Sequence, residues 1–157
     1  MEIRRIRQTE AEAVTELWDE AGRSVPDGGP LKERGRRNIA AMLVLAASSD
    51  RVACLVDDAL RGFVLAELAD DGLLPGRYGR VEELYARGDH ELERALVQAA
   101  VDWLFERGVQ VIRAEVALDE PGAELLSSLG FEPEATRFGL YAPLRLGSST
   151  SNCTSSP

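Results

Sequence analysis

Val81-Glu-Glu-Leu-Tyr-Ala-Arg-Gly-Asp-His-Glu-Leu-Glu-Arg-Ala-Leu-Val97 is a strand that runs through a short turn into an amphipathic helix. Leu92, Leu96, Ala99, Ala100, Trp103 and Leu104 recur on one helical face, so the spacing predicts a helix over 89–107. Asp89 suits its N-cap, and Gly108 stands at the position past the end where a left-handed residue closes the last turn. Residues 109–116 read as another strand. Strand, helix and strand then form a crossover, which requires two parallel strands with the helix packed on the sheet.

On the N-terminal side, residues 3–7 alternate apolar and charged side chains as a half-buried strand does. Thr9-Glu10-Ala11-Glu12 offers a capping box for a helix whose stripe is Val14, Leu17, Trp18 and Ala21 and which Gly22 ends. After a Pro/Gly loop over 24–30, residues 31–47 read as a second helix with Ile39, Met42, Leu43 and Ala46 inward. Residues 52–56 and 63–68 are short apolar strands at hairpin spacing, and the fourth strand is expected over 77–86. Towards the C-terminus, Pro121 opens a short helix that ends at Leu129-Gly130-Phe131, with Gly130 placed for a Schellman turn that folds Phe131 back onto Leu126. Final strands are expected over 131–134 and 136–144, within one domain over 1–146. The Ser/Thr/Gly-rich tail over 147–157 has the composition of a disordered segment.

A chain of 157 residues is large enough to bury about two thirds of its unfolded surface in one core. The net charge of −9 argues against nucleic acid, whose binding rests on neutralising phosphates with Lys and Arg. Lys32, Arg34, Arg36 and Arg37 form a local basic run that reads as a solvated helix face. No apolar run is long enough to span a membrane, and the first residues lack the apolar core of a secretion signal, so the expected location is the cytoplasm. Cys54 and Cys153 form no metal-ligand or disulfide pattern, and with His90 as the single histidine no metal site is expected.

The order of elements over residues 3–144 and two local signatures resemble the GNAT superfamily of acyl-CoA-dependent N-acetyltransferases. One signature is the segment 81–97 continuing into Ile112-Arg113-Ala114-Glu115-Val116. The other is Asp119-Glu-Pro-Gly-Ala-Glu-Leu-Leu-Ser-Ser-Leu-Gly130-Phe131, similar to the family's Asn-x-x-Ala-x-x-x-Tyr-x-x-x-Gly-Phe. The resemblance implies an α/β (α+β) fold: a mixed, mostly antiparallel sheet of about six or seven strands, parallel between the fourth and fifth, with about four helices on its two faces. It also implies acetyl-CoA in the opening between those two strands, the pantetheine arm lying beside Leu84, Tyr85 and Ala86. The implied acceptor is a primary amine on a small molecule or peptide.

The departures from the family lie in the phosphate-binding turn. Family members hold the pyrophosphate on backbone amides of an Arg/Gln-x-x-Gly-x-Gly/Ala turn. Aligned on Arg94, the two glycine positions fall on Glu91 and Glu93 in a loop about two residues short. Glutamates there add bulk and remove backbone freedom. Each carboxylate about 4 Å from a phosphate costs roughly 1 to 4 kcal/mol. Arg87 and Arg94 offset part of that, Gly88 offers an open amide, and Leu92 and Asp119 complete the cofactor-side residues. The same residues also read without a ligand: Asp89 caps the helix, while Glu91 and Glu93 complement its positive end.

For catalysis, Glu82 and Glu83 on the fourth strand are candidate bases, and each also reads as an ordinary surface residue. Leu126 occupies the place of the family's acid tyrosine, with Tyr85 or Tyr141 as substitutes. Two readings therefore stand: an acetyl-CoA-dependent N-acetyltransferase favouring cationic acceptors, or a noncatalytic module of the same fold that binds a ligand or a protein. A homodimer that completes its site from the neighbour is a third arrangement.

Overall fold

Two apolar layers, one on each side of a five-stranded sheet, organise the protein. The computed structural model describes residues 1–24, 29–70, 78–114 and 120–133. The elements are β1 (Ile3–Arg5), α1 (Ala11–Ser24), α2 (Glu33–Ala46), β2 (Val52–Asp57), β3 (Gly62–Ala69), β4 (Tyr78–Ala86), α3 (His90–Phe105), β5 (Ile112–Ala114) and α4 (Glu120–Ser128). The strand order is β1-β2-β3-β4-β5, antiparallel through β4 and parallel between β4 and β5. The crossover that residues 81–116 predict is thus present, with α3 packed on the sheet.

The α3 stripe explains that packing. Leu92, Leu96, Ala100, Trp103 and Leu104 are buried against Leu55, Val64, Ala66, Val81 and Ala86. Full burial of each large side chain contributes roughly 1.5–3 kcal/mol. On the opposite face, Val14 and Leu17 of α1 and Leu43 and Ala46 of α2 close over Cys54, Val56 and Phe63. Trp18 stacks on Phe63 with ring centroids 5.1 Å apart.

Two of the three helix endings expected from glycine are realised. Gly108 has φ +77°, and its amide donates to the Phe105 carbonyl at 2.9 Å. Gly130 has φ +87°, its amide donates to Ser127, and the Phe131 amide donates to Leu126 at 3.1 Å, which is the Schellman pattern.

Several expectations need correction. Of the six or seven strands expected, the described residues hold five. Residues 131–133 are not strand: the Phe131 amide is used in closing α4, and Pro133 has no amide to give a ladder. The strand expected over 136–144 and the tail lie outside the described residues. Gly22 does not end α1, which runs on to Ser24. Nor does Thr9 begin it. The chain enters through a 3₁₀ turn, Gln8–Glu10, where Glu10 bonds back to the Arg7 amide at 2.9 Å and pairs with Arg4 at 2.8 Å. Among the described residues, no helix is long and apolar enough to cross a membrane.

One irregularity shapes the site. Val64 pairs with Leu84, but Ala66 pairs with Val81, so two steps along β3 face three along β4. The extra residue falls at Glu82–Glu83. This β-bulge keeps Val81, Leu84 and Ala86 on the α3 side despite the odd spacing between Val81 and Leu84.

Candidate active site

The β4 segment from Glu82 to Ala86 lies beyond the described pairing with β5, which covers Gly79 to Val81 against Ile112 to Ala114. Leu84 is half-buried and packs towards α3, and Ala86 is buried there. Tyr85 turns to the other face, its ring 6.4 Å from that of Phe63. Opposite Ala86, Gly62 lets β3 come close: a Cβ there would meet the Tyr85 carbonyl oxygen at 2.6 Å.

The bulge gives its two glutamates different surroundings. Glu82 Oε1 lies 2.8 Å from Arg80 Nη2, which also bonds Glu67 Oε2 across the strand at 2.6 Å. Glu83 is exposed, yet the protein mass around its carboxyl, and then the adjacent Glu82 charge, hold it above the usual carboxylate range. Those surroundings raise the proton affinity of the Glu83 carboxyl. The consecutive placement of Glu82 and Glu83 between Val81 and Leu84 breaks the two-residue alternation of a strand, a sequence signal for the bulge.

Tyr85 donates its hydroxyl to Glu20 Oε1 at 2.8 Å, and the Arg87 guanidinium grips the same carboxylate at 2.7–3.0 Å. Arg87 first, and Tyr85 second, hold the Glu20 carboxyl below its ordinary value. This cluster ties α1 to the end of β4. Nothing in the spacing of Glu20 and Arg87, which stand on separate elements, announces the contact.

At the start of α3, Asp89 caps as expected: its Oδ1 accepts the Leu92 amide at 3.0 Å. Its other oxygen lies 3.4 Å from Arg61 Nη1, and Arg61 in turn pairs with the buried Asp57 at 2.9 Å. Gly88 has φ +64°, but it offers no open amide, because that amide donates to the Ala86 carbonyl at 2.7 Å. The Arg87 amide reaches the Arg61 carbonyl at 3.3 Å. Glu91 is exposed, and Glu93 bonds His90 Nδ1 at 2.8 Å. Leu92 is fully buried, so it serves the core and its side chain cannot reach a ligand. Arg94 is exposed, and no carboxylate among the described residues pairs with it.

The turn therefore fits a diphosphate poorly. Asp89, rather than Glu91 or Glu93, puts a carboxylate onto a first-turn amide, and Arg87 is engaged by Glu20. Asp119 and Tyr141 lie outside the described residues. Of the basic run, Lys32, Arg34 and Arg37 are exposed, whereas Arg36 joins Glu16, Glu12 and the buried Asp19, a cluster that hydropathy patterns do not reveal. Burial pushes the Cys54 thiol up to about 12, which leaves it unreactive. Two surface hollows lie elsewhere, one at Asp50, Leu68, Glu106 and Arg107 and one between α3, β5 and α4, and neither is lined by Glu82, Glu83 or Tyr85.

No family model matches the chain, and no curated protein matches it in sequence. Solved structures do match over 90% of its length. A protein of Arthrobacter sp. FB24 named as an acetyltransferase has a TM-score of 0.67 at 24% identity, with 94% of that chain covered. The ribosomal-protein-alanine N-acetyltransferase of Brucella melitensis biovar Abortus 2308 has a TM-score of 0.64 at 17% identity, with 98% of it covered. AAC(6')-Iy, solved with the bisubstrate analogue CoA-S-monomethyl-acetylneamine, has a TM-score of 0.66 at 18% identity, with 96% covered. The chain has the fold of the GNAT acetyltransferases.

Proposed function

We propose that this chain transfers an acyl group from an acyl-CoA thioester to a primary amine, and that it holds the pyrophosphate weakly. The observation that carries this reading is the β4 bulge, which sets Glu83, with its raised carboxyl, beside the part of β4 that runs past its described pairing with β5.

An amine is a nucleophile only after its ammonium loses a proton. Glu83 takes that proton, directly or through one water, and a raised carboxyl holds it better than an ordinary one does. The amine nitrogen then bonds to the thioester carbonyl carbon, and the carbon–sulfur bond breaks. Backbone donors of β4 face the carbonyl oxygen, where the negative charge grows. Tyr85 gives a proton to the leaving thiolate only by releasing Glu20, so acid catalysis is the weaker half of this mechanism. A cationic acceptor suits the Glu82–Glu83 pair and the net charge of −9.

A second reading, a noncatalytic module of the same fold, rests on a different observation. The Leu92 and Gly88 amides, two donors that a diphosphate at this turn would use, are both taken by the protein itself.

Calorimetric titration with acetyl-CoA at moderate salt separates the two. Binding between micromolar and millimolar, with acetyl transfer to a diamine, is the expected result. No heat and no thermal shift up to millimolar ligand would sink the enzyme, and submicromolar binding would overturn the weak turn.

A further inference from the structure

Arg80 stands at the centre of a charged group and has no step of its own in the proposed chemistry. Its Nη2 bridges Glu67 on β3 and Glu82 on β4, at 2.6 and 2.8 Å. The two β-carbons of the Glu67–Arg80 pair face each other across the ladder, where side chains on neighbouring strands meet. The arginine is half-buried, and its Nε is enclosed without a hydrogen-bond partner among the described residues. Such a donor left unmet costs stability, so a plain cross-strand bridge does not account for the whole arrangement.

We propose that Arg80 is a positioning residue: by bridging Glu67 and Glu82, it fixes the charge that stands next to the candidate base Glu83. This rests on the assignment of Glu83 in the proposed function. The bulge is what makes the arrangement consequential. Because one extra residue of β4 is accommodated there, Glu82 and Glu83 are neighbours at a point where the ladder is irregular, and the direction of each side chain is less constrained than in a regular strand. A guanidinium pinned on both sides removes that freedom for Glu82. It is permanently charged, so the clamp persists across the working pH range.

The charged groups on the elements packed against β4 are these. β4 contributes Arg80 and Glu82, β3 contributes Glu67, and β5 contributes Arg113, in register with Arg80 and lying over the Tyr78 ring at 5.0 Å. From α1 comes Glu20, already bonded to Tyr85 and Arg87, and α3 carries Asp89, His90, Glu91 and Glu93 at its first turn. Of these charges, that of Glu82 acts on the Glu83 carboxyl, and Arg80 pairs with Glu82 at 2.8 Å.

The decisive measurement follows the Glu83 carboxyl carbon by NMR through a pH titration of the full chain, with the signal assigned by its loss in Glu83→Gln. Removing the like charge in Glu82→Gln should lower the midpoint, and removing the cation in Arg80→Gln should raise it, each by about half a unit or more. Arg80→Lys should restore most of the original value, and it covers the case in which Arg80→Gln fails to fold. An unmoved midpoint in Glu82→Gln and in the Arg80 variants, with only the melting temperature lowered, would overturn the proposal and leave Arg80 a structural bridge. The pH profile of kcat/KM separates this from the proposed function. An acidic limb that persists in Glu83→Gln removes Glu83 as base, whatever the titration of its carboxyl shows.

Discussion

Asp89 accepts the amide hydrogen of Leu92 at 3.0 Å, at the point where α3 begins. The contact fills with a carboxylate a place where anionic ligands bind helices, and the Arg61 guanidinium stands 3.4 Å behind it. Asp89→Ala should therefore act in two directions. Loss of the cap should cost about 1 kcal/mol and lower the melting temperature by a few degrees. The freed amide and Arg61 should at the same time tighten acetyl-CoA binding severalfold in calorimetry. A variant that is destabilised without any gain in affinity would show that Asp89 is a cap and nothing more.

Glu91→Gly with Glu93→Gly should strengthen acetyl-CoA binding by about one to three decades, from two carboxylates at roughly 1–4 kcal/mol each partly offset by helix loss. The pair Glu91→Gln with Glu93→Gln removes charge but not bulk. If it recovers most of the gain, repulsion is the dominant obstacle; if it recovers little, backbone approach is.

Gly62→Ala places a methyl group 2.6 Å from the Tyr85 carbonyl oxygen and 3.0 Å from Leu96 Cδ1. Backbone cannot yield as a side-chain tip can, so the strand must shift. The expected cost is about 1–3 kcal/mol in urea unfolding. Weaker acetyl-CoA binding should accompany it if the proposed function holds, because the displaced carbonyl belongs to the β4 segment beside which the family resemblance would put the pantetheine arm.

Acid should unfold the protein partly through Glu10. Its bonds to Arg4, and to the Arg7 amide, hold its carboxyl at about 2, below an ordinary value of 4.5. A depressed folded-state value means that the contribution is fully present above the unfolded value and is lost as pH falls through the folded one. Stability should thus decline from about pH 4.5 towards pH 2, and Glu10→Gln should flatten that decline while costing about 2 kcal/mol at neutral pH. Denaturation series at several pH values would reveal the difference in slope.

The α3 period, the Asp89 cap, the left-handed Gly108 and Gly130 and the parallel crossover were legible in the chain because each depends on residues within one or two turns of one another. That Glu91 and Glu93 stand where the family has glycines was likewise legible, since it is a matter of residue type. The different surroundings of Glu82 and Glu83 were not legible. They depend on Arg80 reaching Glu82 and Glu67 and on a bulge that exists only when β3 and β4 pair. Glu20 meeting Tyr85 and Arg87, the engaged Gly88 amide and Asp89 backed by Arg61 belong to the same class. Local sequence determined the elements and their order through short-range sterics and periodic burial. Tertiary structure alone decided which charges meet, because electrostatic partners are set by distances in space between groups tens of residues apart.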